Sequence, residues 1–127
     1  MAIYVIESPF AASAERTQEE HRIHALKLCR AVALQGDLPL ASHVYAPQFL
    51  FEVRPEERDL GIDIQKEFLW FTDGVLVWDD WGITPGMKAA LQYLEHEVAP
   101  SMGRYPIRFH TRGEVPEWDH LDEIELP

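Results

Sequence analysis

Short unbroken apolar runs alternate along this chain with longer stretches whose apolar residues recur at helical spacing. Ile3-Tyr4-Val5-Ile6 is the first such run, the pattern of a strand covered on both faces. Past Ser8-Pro9, Thr17-Gln18-Glu19-Glu20 forms a capping box, with Glu20 three residues after Thr17. Ala25, Leu28, Cys29 and Val32 then follow one helical face until Gly36, which predicts a helix near 18–35. Leu38-Pro39-Leu40-Ala41 predicts a short second strand, with Pro39 at a strand start or sheet edge. Residues 43–54 read as an aromatic-rich loop. Leu60, Ile64, Phe68 and Phe71 step by four, four and three, a second helix near 56–71. Gly74–Trp78 is a third apolar run. Thr84-Pro85 supplies an N-cap with proline at the first helical position. Met87, Leu91, Leu94 and Val98 form the stripe of a third helix, with Pro100 as its stop and Pro106–Phe109 as a candidate fourth strand.

Strands alternating with helices in this order predict an α/β fold. The expected architecture is a Rossmann-like three-layer αβα sandwich around a small, mostly parallel sheet of four to five strands. Leu60, Ile64, Phe68, Val75 and Val77 are its expected core. The domain spans 1–110. Residues 111–127 carry six acids and little periodicity, an acidic tail whose Trp118, Leu121, Ile124 and Leu126 suit docking on the body or on a second subunit.

A chain of 127 residues is one ordinary domain. Its 46% hydrophobic and 26% charged content is that of a globular protein rather than a disordered one. A net charge of −11 disfavours duplex nucleic acid and anionic membranes as partners. A small nucleotide remains compatible, because a few N–H groups at a helix start hold a phosphate locally. Cys29 stands alone, so neither an internal disulfide nor a multi-cysteine zinc site is expected, and its place on an apolar stripe reads as buried and inert. His21 and His24, three apart beside Glu20, lack a third ligand at matching spacing, so neither a metal nor a cofactor is expected. The opening residues have no basic segment followed by a long apolar one, and no stretch is long enough for a membrane span. Cytoplasm is the expected compartment.

In an open parallel sheet, ligands bind beyond the carboxyl ends of the strands. That edge collects Glu7-Ser8-Pro9-Phe10, Ser42-His43 and the loop from Asp79 through Trp81 and Thr84 to Gly86. The last opens onto a helix N-terminus, a generic anion site that serves equally as a simple cap.

These same residues carry a resemblance. Ile3–Ile6 with Ser8-Pro9-Phe10, Gly36-x-x-Pro39-x-Ala41-x-His43, Pro47-Gln48-Phe49-Leu50 and Pro55-Glu56-Glu57-Arg58 occur in order. Asp73-x-Val75-Leu76-Val77-Trp78 through Gly82-Ile83-Thr84-x-Gly86-Met87 follows. Together, over roughly residues 2–98, they resemble the nucleoside 2-deoxyribosyltransferase-like family. Enzymes of that family cleave the N-glycosidic bond of deoxynucleosides or nucleotides, with a helix-borne Glu attacking the anomeric carbon. The position of that Glu, four residues after Gly86, is Ala90 here, and Phe10 stands where those enzymes usually have Tyr.

The resemblance therefore implies a nucleoside- or nucleotide-binding protein without the usual nucleophile, able to sense or sequester a nucleotide. Ser8, Pro9, Phe10, Arg16 and His43 are its candidate ligand contacts, with Asp80, Trp81, Thr84, Gly86 and Met87. Each has an alternative role: Arg16 pairing with Glu15 or Glu20, His43 as a structural histidine, Asp79-Asp80 as a solvated loop pair. The rival function is an active N-glycosidase or transferase using Asp79 or Asp80. The third is a non-catalytic interaction module. A homodimer or higher homo-oligomer, touching through the second helix, is the expected assembly.

Overall fold

Val5 and Ile6, neighbours in the first apolar run, are both fully buried but belong to different halves of the core. This is the reason the run is unbroken: alternate side chains leave opposite faces of a strand, and here each face is covered. The computed structural model that shows this describes residues 1–103, 107–109 and 115–127. Its sheet contains β1 (Ile3–Glu7), β2 (Leu38–Leu40), β3 (Gly74–Val77) and β4 (Ile107–Phe109). All neighbours pair in parallel, in the order β2-β1-β3-β4. Pro106, assigned to the last strand from sequence, lies outside the described residues.

On one face lie α1 (Gln18–Leu34) and the C-terminal segment, where Leu28, Ala31 and Val32 meet Ile6, Leu76 and Trp78. On the other lie α3 (Pro55–Trp70) and α4 (Pro85–Tyr93), where Leu69, Met87 and Leu91 meet Val5, Val75 and Val77. The fold is thus an α/β sandwich of three layers. The capping box at Thr17 forms as read: its hydroxyl accepts from Glu20 N at 3.1 Å, and Thr17 N donates to Glu20 Oε1 at 3.3 Å. Gly36, at φ 101°, makes the left-handed turn out of α1.

Three expectations change. Residues 43–54 are not all loop, because α2 (Ser42–Tyr45) and a 3₁₀ turn at Ala46–Gln48 occupy the first half. Pro100 does not end the third helix. A π-turn at Leu94–Val98, closed by Ala99 N donating to Leu94 O, resets the ladder, and α5 (Ala99–Met102) continues with proline in its first turn. Proline is tolerated there because first-turn N–H groups need no helical partner. In α3, Leu60 is 49% exposed, and Ile64 and Phe68 are only half-buried, whereas Leu69 is buried. Gly61, Gln65 and Leu69 lie on the inner side of α3, and Arg58, Gly61, Ile62 and Gln65 line a cavity, Arg58 and Ile62 from exposed positions. The apolar stripe read from the sequence is rotated away from it.

The acidic C-terminal segment docks on the body, one of the two placements its apolar residues suited. Its 3₁₀ turns at Pro116–Glu123 bury Trp118 and Leu121 against α1, and the indole Nε1 donates to Leu28 O at 3.2 Å. The boundary assigned at 110/111 lies outside the described residues. Among the described residues, no helix is long and apolar enough to cross a membrane.

Candidate functional site

The sheet order places β1 between β2 and β3, so the chain leaves β1 on one side and later returns on the other. Such switch points open a crevice at the carboxyl ends of the strands. Here it is a cavity of about 410 Å³, within the size range of small-molecule sites. The end of β1 supplies Glu7, Ser8 and Phe10, α2 supplies Ser42 and His43, and α3 supplies Arg58, Ile62 and Gln65. The start of α4 closes it with Thr84, Pro85, Gly86 and Met87.

Local sequence chemistry explains these placements. Thr84 caps α4, its hydroxyl accepting from Met87 N at 3.2 Å, while Pro85 fits a first-turn position where no N–H is required. The loop before it turns through Gly82 at φ 89°, whose N–H donates to Asp79 O at 2.8 Å. Ser8 and His43, which follow β1 and β2, share a hydrogen bond of 2.9 Å between Oγ and Nε2. Loss of hydration holds the His43 pKa down to about 4, so the ring is neutral near pH 7. Its Nδ1 is buried without a partner among the described residues. The Phe10 ring stands edge-on to His43, with centroids 6.1 Å apart.

The most perturbed acid in the cavity is Glu7. It is 2% exposed, and its Oε1 accepts from Gln65 Nε2 at 2.9 Å. Burial, opposed only by the Gln65 hydrogen bond, pushes its pKa up to about 7. Glu52 and Glu57 also border the cavity, against Arg58 as the lining cation among the described residues. Glu57 is engaged by Arg54 at 3.2 Å and by Phe51 N at 3.2 Å.

Of the ten ligand contacts expected from sequence, Ser8, Phe10, His43, Thr84, Gly86 and Met87 line this one cavity. Pro9 is buried beside it without lining it. Arg16, Asp80 and Trp81 border a separate groove between α1, the loop after β3 and the C-terminal segment. There Trp81 is stacked on His24 with centroids 4.2 Å apart, and the Arg16 guanidinium lies 3.7 Å from the indole centroid. Asp79, offered from sequence as a replacement nucleophile together with Asp80, does not line the cavity, and neither does Asp80. Trp81 and Asp80 therefore do not share a site with Ser8 and His43.

The matched family model decides what the chain is related to: it covers residues 2–103. The chain belongs to that family, DUF7768, a domain of unknown function. The matched span includes all the described cavity residues and stops before the docked C-terminal segment. Comparison with curated proteins and with solved structures gave no match.

His21 and His24 have structural partners. His21 Nδ1 donates to Ala11 O at 2.9 Å, and His24 sits within the tryptophan cluster with its pKa lowered to about 4 by burial. Cys29 is half-buried rather than buried, and loss of hydration pushes its thiol up to about 11, so it is not a nucleophile at neutral pH. Ala90 is buried in α4, one turn beyond the part of the helix that lines the cavity. Sequence reasoning placed Glu7 at the sheet edge without giving it a role and passed over Gln65. A signal existed for Glu7, an acid ending an apolar run at the carboxyl edge of a strand. None existed for Gln65, which lies between apolar stripe positions.

Proposed function

We propose that this chain binds a nucleoside or nucleotide in the cavity at the carboxyl edge of its sheet, as a relative of the nucleoside 2-deoxyribosyltransferase-like proteins. The observation that carries the reading is the convergence of Ser8, Phe10 and His43 with the capped start of α4 around one cavity of about 410 Å³. Phe10 offers an aromatic edge or face to a base, and the α4 start offers the Gly86 N–H to a sugar hydroxyl or phosphate, since Pro85 has none and Met87 N is bonded to Thr84. Side chains on a helix lean toward its N-terminus, so a carboxylate at position 90 would reach over Gly86, which has no side chain in the way. Alanine there leaves the shell without the family's attacking group. The site is thus read as one for binding, not turnover.

A melting-temperature screen against nucleosides and nucleotides tests this. Stabilisation by a ligand recovered intact is the expected result. Base released by the wild-type protein would favour the glycosidase reading, and no stabilisation by any member of the panel would remove the nucleotide reading altogether.

Self-association through α3 belongs to the same proposal. Leu60 at 49%, Phe71 at 76%, Phe49 at 52% and Phe51 at 61% exposure leave an apolar surface on and beside that helix, the kind of surface a second copy covers. Light scattering at micromolar concentration should return at least twice the chain mass of 14.7 kDa. A mass of one chain would count against it.

A further inference from the structure

Glu7 has no part in the family resemblance, yet it is the most deeply buried carboxyl bordering the cavity. It occupies the last position of β1, paired in register with Val77, and its backbone oxygen accepts from Trp78 N at 2.9 Å. The strand therefore fixes where its side chain starts. Gln65 fixes where it ends, through the 2.9 Å bond to Oε1. A rigid acid held by a side-chain amide at a cavity wall leaves Oε2 of the acid, and the Oε1 and second N–H of the amide, as hydrogen-bonding atoms of that wall.

We infer that Glu7, in its protonated form and braced by Gln65, is the group that reads the hydrogen-bonding edge of the ligand's base. A carboxylic acid next to an amide presents a donor beside an acceptor. Among small ligands, nucleobases carry the matching planar edge, with a ring nitrogen or carbonyl acceptor next to an N–H donor. An ionised carboxylate would offer acceptors alone, and buried without a cation it would be costly to maintain. No salt bridge reaches Glu7 among the described residues. The other polar groups bordering the same space are the Ser8 hydroxyl after β1, Ser42 and neutral His43 from α2, Arg58 and Glu57 from α3, Glu52 from the segment before it, and the Thr84 hydroxyl at the start of α4. The start of α4 adds no titratable side chain to the lining. His43, with its pKa held to about 4, does not change charge near neutrality. The inference rests on the nucleoside reading above and gives it a base-recognition contact.

The experiment is calorimetric binding of adenosine, inosine and thymidine, which carry no phosphate to titrate, from about pH 6 to about pH 8.5. Wild-type affinity for the best of them should fall as Glu7 loses its proton near pH 7, approaching about tenfold per pH unit on the alkaline side. Glu7→Gln, which cannot ionise, should give a flat profile, with its fold checked by circular dichroism. Gln65→Leu removes the brace without touching the carboxyl and should weaken binding roughly tenfold at the acid end. A nucleoside bound with no pH dependence, or more tightly as pH rises, overturns the role given to protonated Glu7 and leaves the nucleoside reading standing. Failure of the wild-type protein to bind any of the three at any pH overturns the role given to Glu7, and the nucleotide reading falls as well only if the wider panel also gives no stabilisation.

Discussion

Glu7→Gln should gain stability over the wild-type protein as pH rises, by about 3 kcal/mol between about pH 4.5 and pH 8. A carboxyl whose folded-state pKa of about 7 stands above its ordinary 4.5 binds its proton more tightly when folded. The stability from that proton is complete below the ordinary value and is lost as pH rises through the folded one. Glutamine keeps a polar group of nearly the same shape but has no proton to lose. His24 and His43 act in the opposite sense: with folded pKa values near 4, they take stability away as pH falls below their usual 6.5. Both are present in wild type and variant, so subtracting the two urea-unfolding curves at each pH isolates Glu7. A difference that stays level across the range would mean that Glu7 is hydrated and ionised like a surface acid. This readout needs no ligand and is independent of any function for the cavity.

The second large effect is expected at Trp118. The indole is 2% exposed, packed in the cluster that holds Leu28, Val32 and Trp78, and its N–H is bonded to Leu28 O. Trp118→Ala removes a large buried ring and leaves the α1 carbonyl facing a void. Truncating a buried aromatic typically costs about 3–5 kcal/mol. In a domain of this size that is a fall in Tm of roughly 10–20 °C. Trp118→Phe, which keeps most of the packing but not the hydrogen bond, should recover more than half of it. If Trp118→Ala melts with the wild-type protein, the C-terminal segment is an appendage after all and α1 keeps its cover by other means.

Local rules made most of the framework legible. The unbroken apolar runs at Ile3–Ile6 and Gly74–Trp78 demand cover on both faces, and only layers of helix on each side of a parallel sheet provide it. Thr17 with Glu20, and Thr84 with Pro85, mark helix starts through bonds spanning three residues, so sequence alone contains the whole interaction. The same locality explains the partial success at the site. Residues that follow the strands or open a helix, such as Ser8, His43, Thr84 and Gly86, are carried to one edge by topology, whatever their side chains do.

Tertiary structure decided the rest, through contacts that have no sequence period. Apolar spacing assigned the inner face of α3 to Leu60, Ile64 and Phe68, but the cavity needs Gly61 and Gln65 on that side, and the apolar stripe was left partly in the open. Trp81 and Asp80 sit in the same loop as Thr84, yet the Arg16 and His24 side chains hold the tryptophan over α1, away from the cavity. Glu7 shows the difference most plainly. Its position at a strand end follows from the sequence, but its burial depends on α3 lying across the sheet edge, and its partner Gln65 stands 58 residues away. A pKa set by lost hydration depends on everything that excludes water, so it existed only once the layers had closed.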